Sequence, residues 1–223
     1  MSDPKPLRKG EQTRAAILHS AVGLAAQQGL EGITIGTLAD LMQMSKSGVF
    51  AHFGSREDLQ IAVLKEYERR FVDDVLKPSL SASRGLPRLE AIFEHWLENT
   101  VVEATHGCIW ISGAAEYDDR PGPVREALVA IVKAWQREIN KAIHQAIDEG
   151  HLHPTEDAFE MTSDLIFDLY SVILALHHDA RLLNTPDAVA RARRSFGRLV
   201  KARLATPFNF SSTSVSKTSI LQQ

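Results

Sequence analysis

Apolar residues recur every three to four positions through most of this chain, and alternation with period two persists nowhere, which predicts an all-α protein. Over residues 33–59, ITIGTLADLMQMSKSGVFAHFGSREDL, the pattern is cut into short pieces. Thr34 is placed to N-cap a helix whose inner side is Ile35, Leu38, Ala39 and Met42. The chain turns through Gln43 and Met44. Ser45 then caps a helix over 46–52, with Val49 and Phe53 inward and Gly54 as its stop. Ser55, with Asp58 three residues on, opens a third helix as a capping box. Helices of seven or eight residues are unstable alone, so each must pack on its neighbours. Such a trihelical unit presents the first turn of its second helix outward, as a recognition helix is presented to a DNA major groove.

The rest of the chain is written in longer periods. A helix over 10–28 carries Ile17, Leu18, Ala21, Val22, Leu24 and Ala25, stops at Gly29, and would roof the two short helices. After Ser55 a long helix runs through Leu59, Ala62, Val63, Tyr67 and Phe71 to about residue 76, where Pro78 is expected to end it. Pro87 opens the next, with Leu89, Ile92, Phe93, Trp96, Leu97 and Val101 on one side and His106-Gly107 as its break. Residues 108–116 read as a short buried helix and 118–122 as a turn. Pro123 opens a helix to 149 carrying Leu128, Ile131, Val132, Trp135, Ile139, Ile143 and Ile147. Thr155, with Asp157 in the first turn, caps another to about 178. Thr185-Pro186 starts a last helix to about 204, which Thr206-Pro207 ends. The division expected is a basic arm over 1–9, a helix-turn-helix unit over 10–56, a helical regulatory and dimerisation domain over 57–205, and a disordered Ser/Thr-rich tail over 206–223.

Composition narrows the class. With 44% hydrophobic residues in 223, the chain is expected to fold as a soluble protein. No apolar run approaches a bilayer span and the N-terminus has no apolar signal core, so no membrane partner is expected and the cytoplasm is the expected location. The single cysteine, Cys108, excludes an internal disulfide and fits a reducing compartment. Net charge is −3, but it is unevenly spread. Up to Arg56 the bases Lys5, Arg8, Lys9, Arg14, Lys46 and Arg56 exceed the acids Asp3, Glu11, Glu31 and Asp40, while acids prevail in the remainder. Only one end is suited to meet phosphates.

The first unit closely resembles the N-terminal domain of the tetracycline-repressor (TetR) family of transcriptional regulators. The matching residues are the helix TRAAILHSAVGLAAQQG and the stretch ITIGTLADLMQMSKSGVFAHFGSREDL, with the family pattern falling on Ser45, Gly48, Phe50, His52, Phe53, Ser55, Arg56, Glu57 and Leu59. The resemblance implies that Thr34 contacts a phosphate, that Lys46, Ser47 and Gly48 meet base edges, and that His52 and Arg56 anchor the DNA backbone. The family usually has tyrosine where this chain has Phe50, which loses a phosphate hydrogen bond and leaves sugar contact. Gly36 offers no side chain where some members place a polar one. The partners implied are double-stranded DNA with a palindromic operator, a small-molecule inducer, and a second copy of the chain.

In the C-terminal part all three tryptophans gather. Phe93, Trp96, Ile109, Trp110, Tyr117, Trp135, Ile139, Phe167 and Tyr170 are the expected walls of a cavity for an apolar or aromatic ligand. The expected dimer face takes Phe159, Ile166 and Leu174 from one helix and Ala188, Ala192, Phe196 and Leu199 from the last. Arg191, Arg194, Arg198 and Lys201 on the other side of that helix read as a solvated face. Cys108 follows a glycine at a helix start, where amides favour thiolate, so a thiol-based sensor of oxidants or electrophiles is one alternative. A helical adaptor that no longer binds DNA is another. His144, His151 and His153, like His177, His178 and Asp179, lack a defined ligand spacing, so no metal and no cofactor are expected. With no nucleophile elbow, phosphate loop or zinc motif, no enzyme is expected. The reading is a homodimeric repressor released from its operator by a small, largely apolar ligand.

Overall fold

The computed structural model describes residues 8–153 and 158–204; the expected cap at Thr155 with Asp157, the stop at Thr206-Pro207, the tail over 206–223 and residues 1–7 of the arm lie outside them. The described residues are helical apart from turns and one isolated antiparallel bridge, Leu152 to Leu204. The helices are α1 (Lys9–Gln28), α2 (Ile35–Met42), α3 (Lys46–Phe53), α4 (Arg56–Phe71), α5 (Leu86–His106), α6 (Ile109–Tyr117), α7 (Pro123–Asp148), α8 (Ala158–Arg181) and α9 (Ala188–Lys201).

Local chemistry accounts for most boundaries. Thr34, Ser45 and Ser55 cap α2, α3 and α4 by accepting the N–H groups of Thr37, Gly48 and Asp58. Gly29 and Gly107 end α1 and α5 with positive φ, 79° and 104°, which a side chain rarely tolerates.

Three boundaries differ from expectation. Pro78 does not stop its helix: α4 passes through a π turn, Val72–Leu76, into a further α turn, Lys77–Ser79. The π turn shifts the hydrogen-bond register, with Lys77 N–H donating to Val72, so the proline ring meets a backbone already out of α geometry. Pro186 lies in a turn, and α9 begins after Asp187. The same helix ends at Lys201, because Arg203 O accepts from His153 N–H at 2.9 Å and draws the chain toward the Leu152 bridge.

Two cores meet end to end. One takes Ile17, Ala21, Val22 and Ala25 of α1, Leu38, Val49 and Phe53 of the short helices, and Leu59, Val63 and Tyr67 of α4. It continues onto Ile109 of α6 and Val124, Leu128 and Ile131 of α7. The second core begins further along the same long helices, at Phe71 of α4 and Trp135 of α7, and is closed by α5, α8 and α9. Because α4 and α7 run through both, neither core can shift without the other feeling it.

Candidate nucleic-acid interface and regulatory core

The short helices are held rigidly enough to display a surface. Thr34 and Thr37 bond reciprocally, each hydroxyl accepting the other's N–H at 3.0 and 2.9 Å. Gln43 takes a left-handed φ of 52°, and Met44 N–H donates to Ala39 O at 2.9 Å, closing the turn. Val49 and Phe53 are buried beneath α3, which leaves Lys46 and Ser47 exposed and Phe50 53% exposed on the outer side. Gly36 gains a role from this packing: a Cβ there would lie 3.5 Å from Lys46 Cε and 3.8 Å from its ammonium nitrogen. The ammonium therefore rests over the first turn of α2 beside the Thr34 cap, a place where cation and helix dipole act together on an anion. His52 is half-buried, edge-on to Phe53, in a cleft it shares with Arg14, Asp58 and Lys65.

Arg56 is turned back into the protein rather than outward to a phosphate. Its Nη2 donates to Glu31 O at 2.6 Å and to the Glu31 carboxylate at 3.0 Å, and its Nε to Ile33 O at 3.2 Å. These bonds belong to a polar clasp on the loop between α1 and α2. Tyr117 of α6 donates its hydroxyl to the same carboxylate, Arg120 lies 3.6 Å from it, and Gln60 donates to Leu30 O at 2.8 Å. Glu116 accepts the Glu31 N–H at 2.8 Å. The tyrosine bond and then the Arg56 charge hold the Glu31 carboxyl below its usual range. Nothing local in the sequence announces this clasp, since Glu31 and Tyr117 are 86 residues apart.

Tyr117 and Ile109 thus pack against the N-terminal core, away from the tryptophans Trp96 and Trp135, and Tyr117 also lines a cleft beside Glu31 and Arg120. Phe167 is 72% exposed and faces away from the interior. Phe93 stacks on Phe196, centroids 4.1 Å apart and planes at 10°, and Ile139 is fully buried core. What remains is an aromatic cluster centred on Phe71, a residue that its place in the apolar period of α4 does not mark as part of a binding site. Around it stand Trp110 at 4.4 Å, Trp135 at 4.8 Å and Trp96 at 6.4 Å, and Tyr170 lies 5.0 Å from Trp96. The indole N–H groups of Trp110 and Trp135 and the Tyr170 hydroxyl are buried without a hydrogen-bond partner. Such groups cost stability where they are, and a guest molecule could satisfy them.

Cys108 sits where Tyr67, Glu103 and Asn99 converge. Tyr67 bonds the Glu103 carboxylate and lies 3.4 Å from the sulfur, while Asn99 donates to Glu103 at 2.8 Å. Burial pushes the Glu103 carboxyl up, and burial with the Glu103 charge pushes the Cys108 thiol up to about 12. That is opposite to the thiolate a redox sensor requires. Iodoacetamide at pH 8 is accordingly expected to modify the folded protein about a hundredfold more slowly than the urea-unfolded chain, followed by mass spectrometry. Equal rates in the two states would restore the sensor reading.

The dimer residues separate into two sets. Ala188, Ala192 and Phe196 are buried in the chain's own core, and Leu199 and Ile166 pack against it, because α9 folds back on α5 and α8. Ala188, Ala192 and Phe196 are thus taken up within the chain, while Ile166 and Leu199 keep part of their surface open. Phe159, Phe167 and Leu174, at 79, 72 and 49% exposure, instead form an outward stripe on α8 with the small residues Ser163 and Ser171 between them. On α9, Arg191 and Arg194 pair with Asp187 at 3.1 and 3.6 Å, and Arg193 reaches Glu94 of α5 at 2.9 Å.

Among the described residues no helix is long and apolar enough to cross a membrane. The family model described as "Bacterial regulatory proteins, tetR family" matches residues 17–63, and that described as "Tetracyclin repressor-like, C-terminal domain" matches 85–196. No curated protein matches the chain. Solved structures share the fold. A TetR-family transcriptional regulator from Cytophaga hutchinsonii aligns at TM-score 0.74 and 18% identity, over 91% of this chain and 100% of its own. One from Chloroflexus aurantiacus aligns at 0.69 and 22%, over 89% and 100%. A transcriptional regulator from Saccharomonospora viridis, solved in complex with choline, aligns at 0.68 and 16%, over 87% and 98%. With both halves matched by family models and the trihelical unit displaying the first turn of α3, the chain belongs to the tetracycline-repressor family of DNA-binding transcriptional regulators.

Proposed function

We propose that this protein is a cytoplasmic, homodimeric repressor that grips a palindromic operator and is released from it by a small, largely apolar ligand. The observation that carries the reading is the outer side of α3, where Lys46, Ser47 and the exposed Phe50 stand on a helix fixed from below by Val49 and Phe53. Lys46 suits guanine O6 and N7, Gly48 admits close backbone approach, Phe50 meets sugar, and Thr34 and His52 flank them toward the phosphates. Arg56 serves by fixing the α1–α2 loop.

One recognition helix reads too few base pairs, so two must lie about 34–36 Å apart to reach successive major grooves. The α8 stripe supports pairing, because large apolar side chains exposed in a row mark an interaction face. Phe159→Glu combined with Phe167→Glu is expected to convert the dimer to monomer in sedimentation velocity at micromolar concentration. An unchanged dimer would place the interface elsewhere.

Ligand bound in the C-terminal half would favour an arrangement of α4 and α6 in which the recognition helices no longer match groove spacing. The neighbour solved with choline supports a small-molecule partner for this fold. DNase I footprinting on the DNA upstream of the protein's own gene tests the reading. Protection of two half-sites one helical turn apart is the result expected; patchy, sequence-blind protection would favour an adaptor.

A further inference from the structure

The aromatic cluster is packed ring against ring, at 4.4 to 5.3 Å between neighbouring centroids. Open volume lies instead beside it, in a cleft of about 500 Å³ where the end of α5, the start of α6 and the end of α8 meet. Ala104, Ile111, Leu174 and Leu182 give this cleft an apolar floor, and Arg181, one turn beyond His177 along α8, gives it a cationic side. His178 also lines it, 3.6 Å from Asp179, and no acidic residue does.

Two features point to a guest. His177 lines the cleft with its Nε2 atom shielded and without a hydrogen-bond partner, so that atom gains a partner from a guest when the side chain turns toward the open volume. Burial, with the nearby Arg181 and His178 charges, holds this imidazole below its ordinary pKa, so it meets a guest as a neutral ring and the positive charge of the cleft is that of Arg181. Arg181 is half committed: Nη1 donates to Ala104 O at 3.0 Å, in the last turn of α5. The rest of its guanidinium fork remains to take a planar anion. The i, i+7 spacing also puts His177 on the same side of α8 as Tyr170, whose buried hydroxyl is likewise unpartnered.

We propose that this cleft holds the charged end of the effector, and that the effector is an apolar carboxylate: Arg181 and His177 take the carboxylate, and Ala104, Ile111, Leu174 and Leu182 take the adjoining apolar body. The inference deepens the ligand-responsive reading and rests on it for the consequence on DNA. That consequence has a short route. Arg181 Nη2 lies 3.5 Å from where a Cβ on Gly107 would stand, and Gly107 is pressed against the Ala26 carbonyl of α1. A carboxylate that draws Arg181 toward itself loosens its hold on the α5–α6 junction, which touches the DNA-binding unit.

The test is isothermal titration of the full chain with decanoate, decan-1-ol and decyltrimethylammonium, without DNA. Decanoate is expected to bind once per chain, at least tenfold more tightly than decanol, with no heat from the ammonium compound. Arg181→Gln is expected to weaken decanoate at least tenfold and leave decanol unchanged, and His177→Leu to act in the same direction with the fold intact by circular dichroism. Equal binding of decanoate and decanol, or decanoate binding indifferent to both substitutions, would overturn the proposal. Because these titrations contain no duplex, their failure leaves operator recognition standing, and failure on an operator leaves the cleft result standing.

Discussion

Gly107→Ala is expected to destabilise the protein by about 2–5 kcal/mol in urea unfolding at fixed protein concentration. The residue has φ of 104°, where a side chain costs about 1–2 kcal/mol, and overpacking adds about 1–3. The added Cβ would fall on the Ala26 carbonyl oxygen, backbone that cannot rotate aside as a side chain tip can. Relief requires α6 to lift from the end of α1, which disturbs both the Glu31 clasp and the core contact of Ile109. Gly23→Ala is the control. It lies within α1 with nothing within 4 Å of its Cβ, so it is expected to be neutral or to stabilise by up to about 1 kcal/mol. A loss under about 0.5 kcal/mol at Gly107 would mean that the junction yields freely, and with it the proposed route from ligand to DNA.

Lys46→Ala is expected to carry the largest loss at the operator. A side chain reading guanine contributes about 1–3 kcal/mol of discrimination, and a dimer places two, so the loss is at least about 2 kcal/mol, roughly thirtyfold in affinity. The variant should fold normally, since Lys46 is exposed and its backbone bonds are made by the helix. Fluorescence anisotropy on the footprinted duplex and on a scrambled one separates the contributions. A base-reading lysine loses more on the operator than on the scrambled duplex. Equal losses on both would assign Lys46 to phosphate, a role that its rest over the first turn of α2 also permits.

The features legible in the sequence were those with local causes. Thr34, Ser45 and Ser55 announce helix starts, and Gly29, Gly54 and Gly107 announce stops, because each acts within four residues of itself. Val49 and Phe53 as the buried side of α3 follow from the same period. Which partner an apolar side meets is a tertiary matter. Phe196 and Phe159 look equally suited to a dimer face, yet one stacks on Phe93 and the other is exposed. Tyr117 and Ile109 read as cavity walls but fold onto the N-terminal core. Arg56 fits the family's phosphate anchor by position, and its commitment to Glu31 depends on a loop 25 residues earlier. Pro78 misled for a further reason: the π turn that accommodates it leaves no mark in the pattern of apolar positions.

The most direct measurement of whether paired chains meet successive turns of a duplex is the salt dependence of wild-type binding to the footprinted operator, from 50 to 300 mM KCl. The account predicts a dimer bound per duplex, affinity that falls steeply with salt as several phosphate counterions are released, and a persistent preference of at least about a thousandfold over the scrambled duplex. A shallow slope with no preference between the two sequences would contradict it.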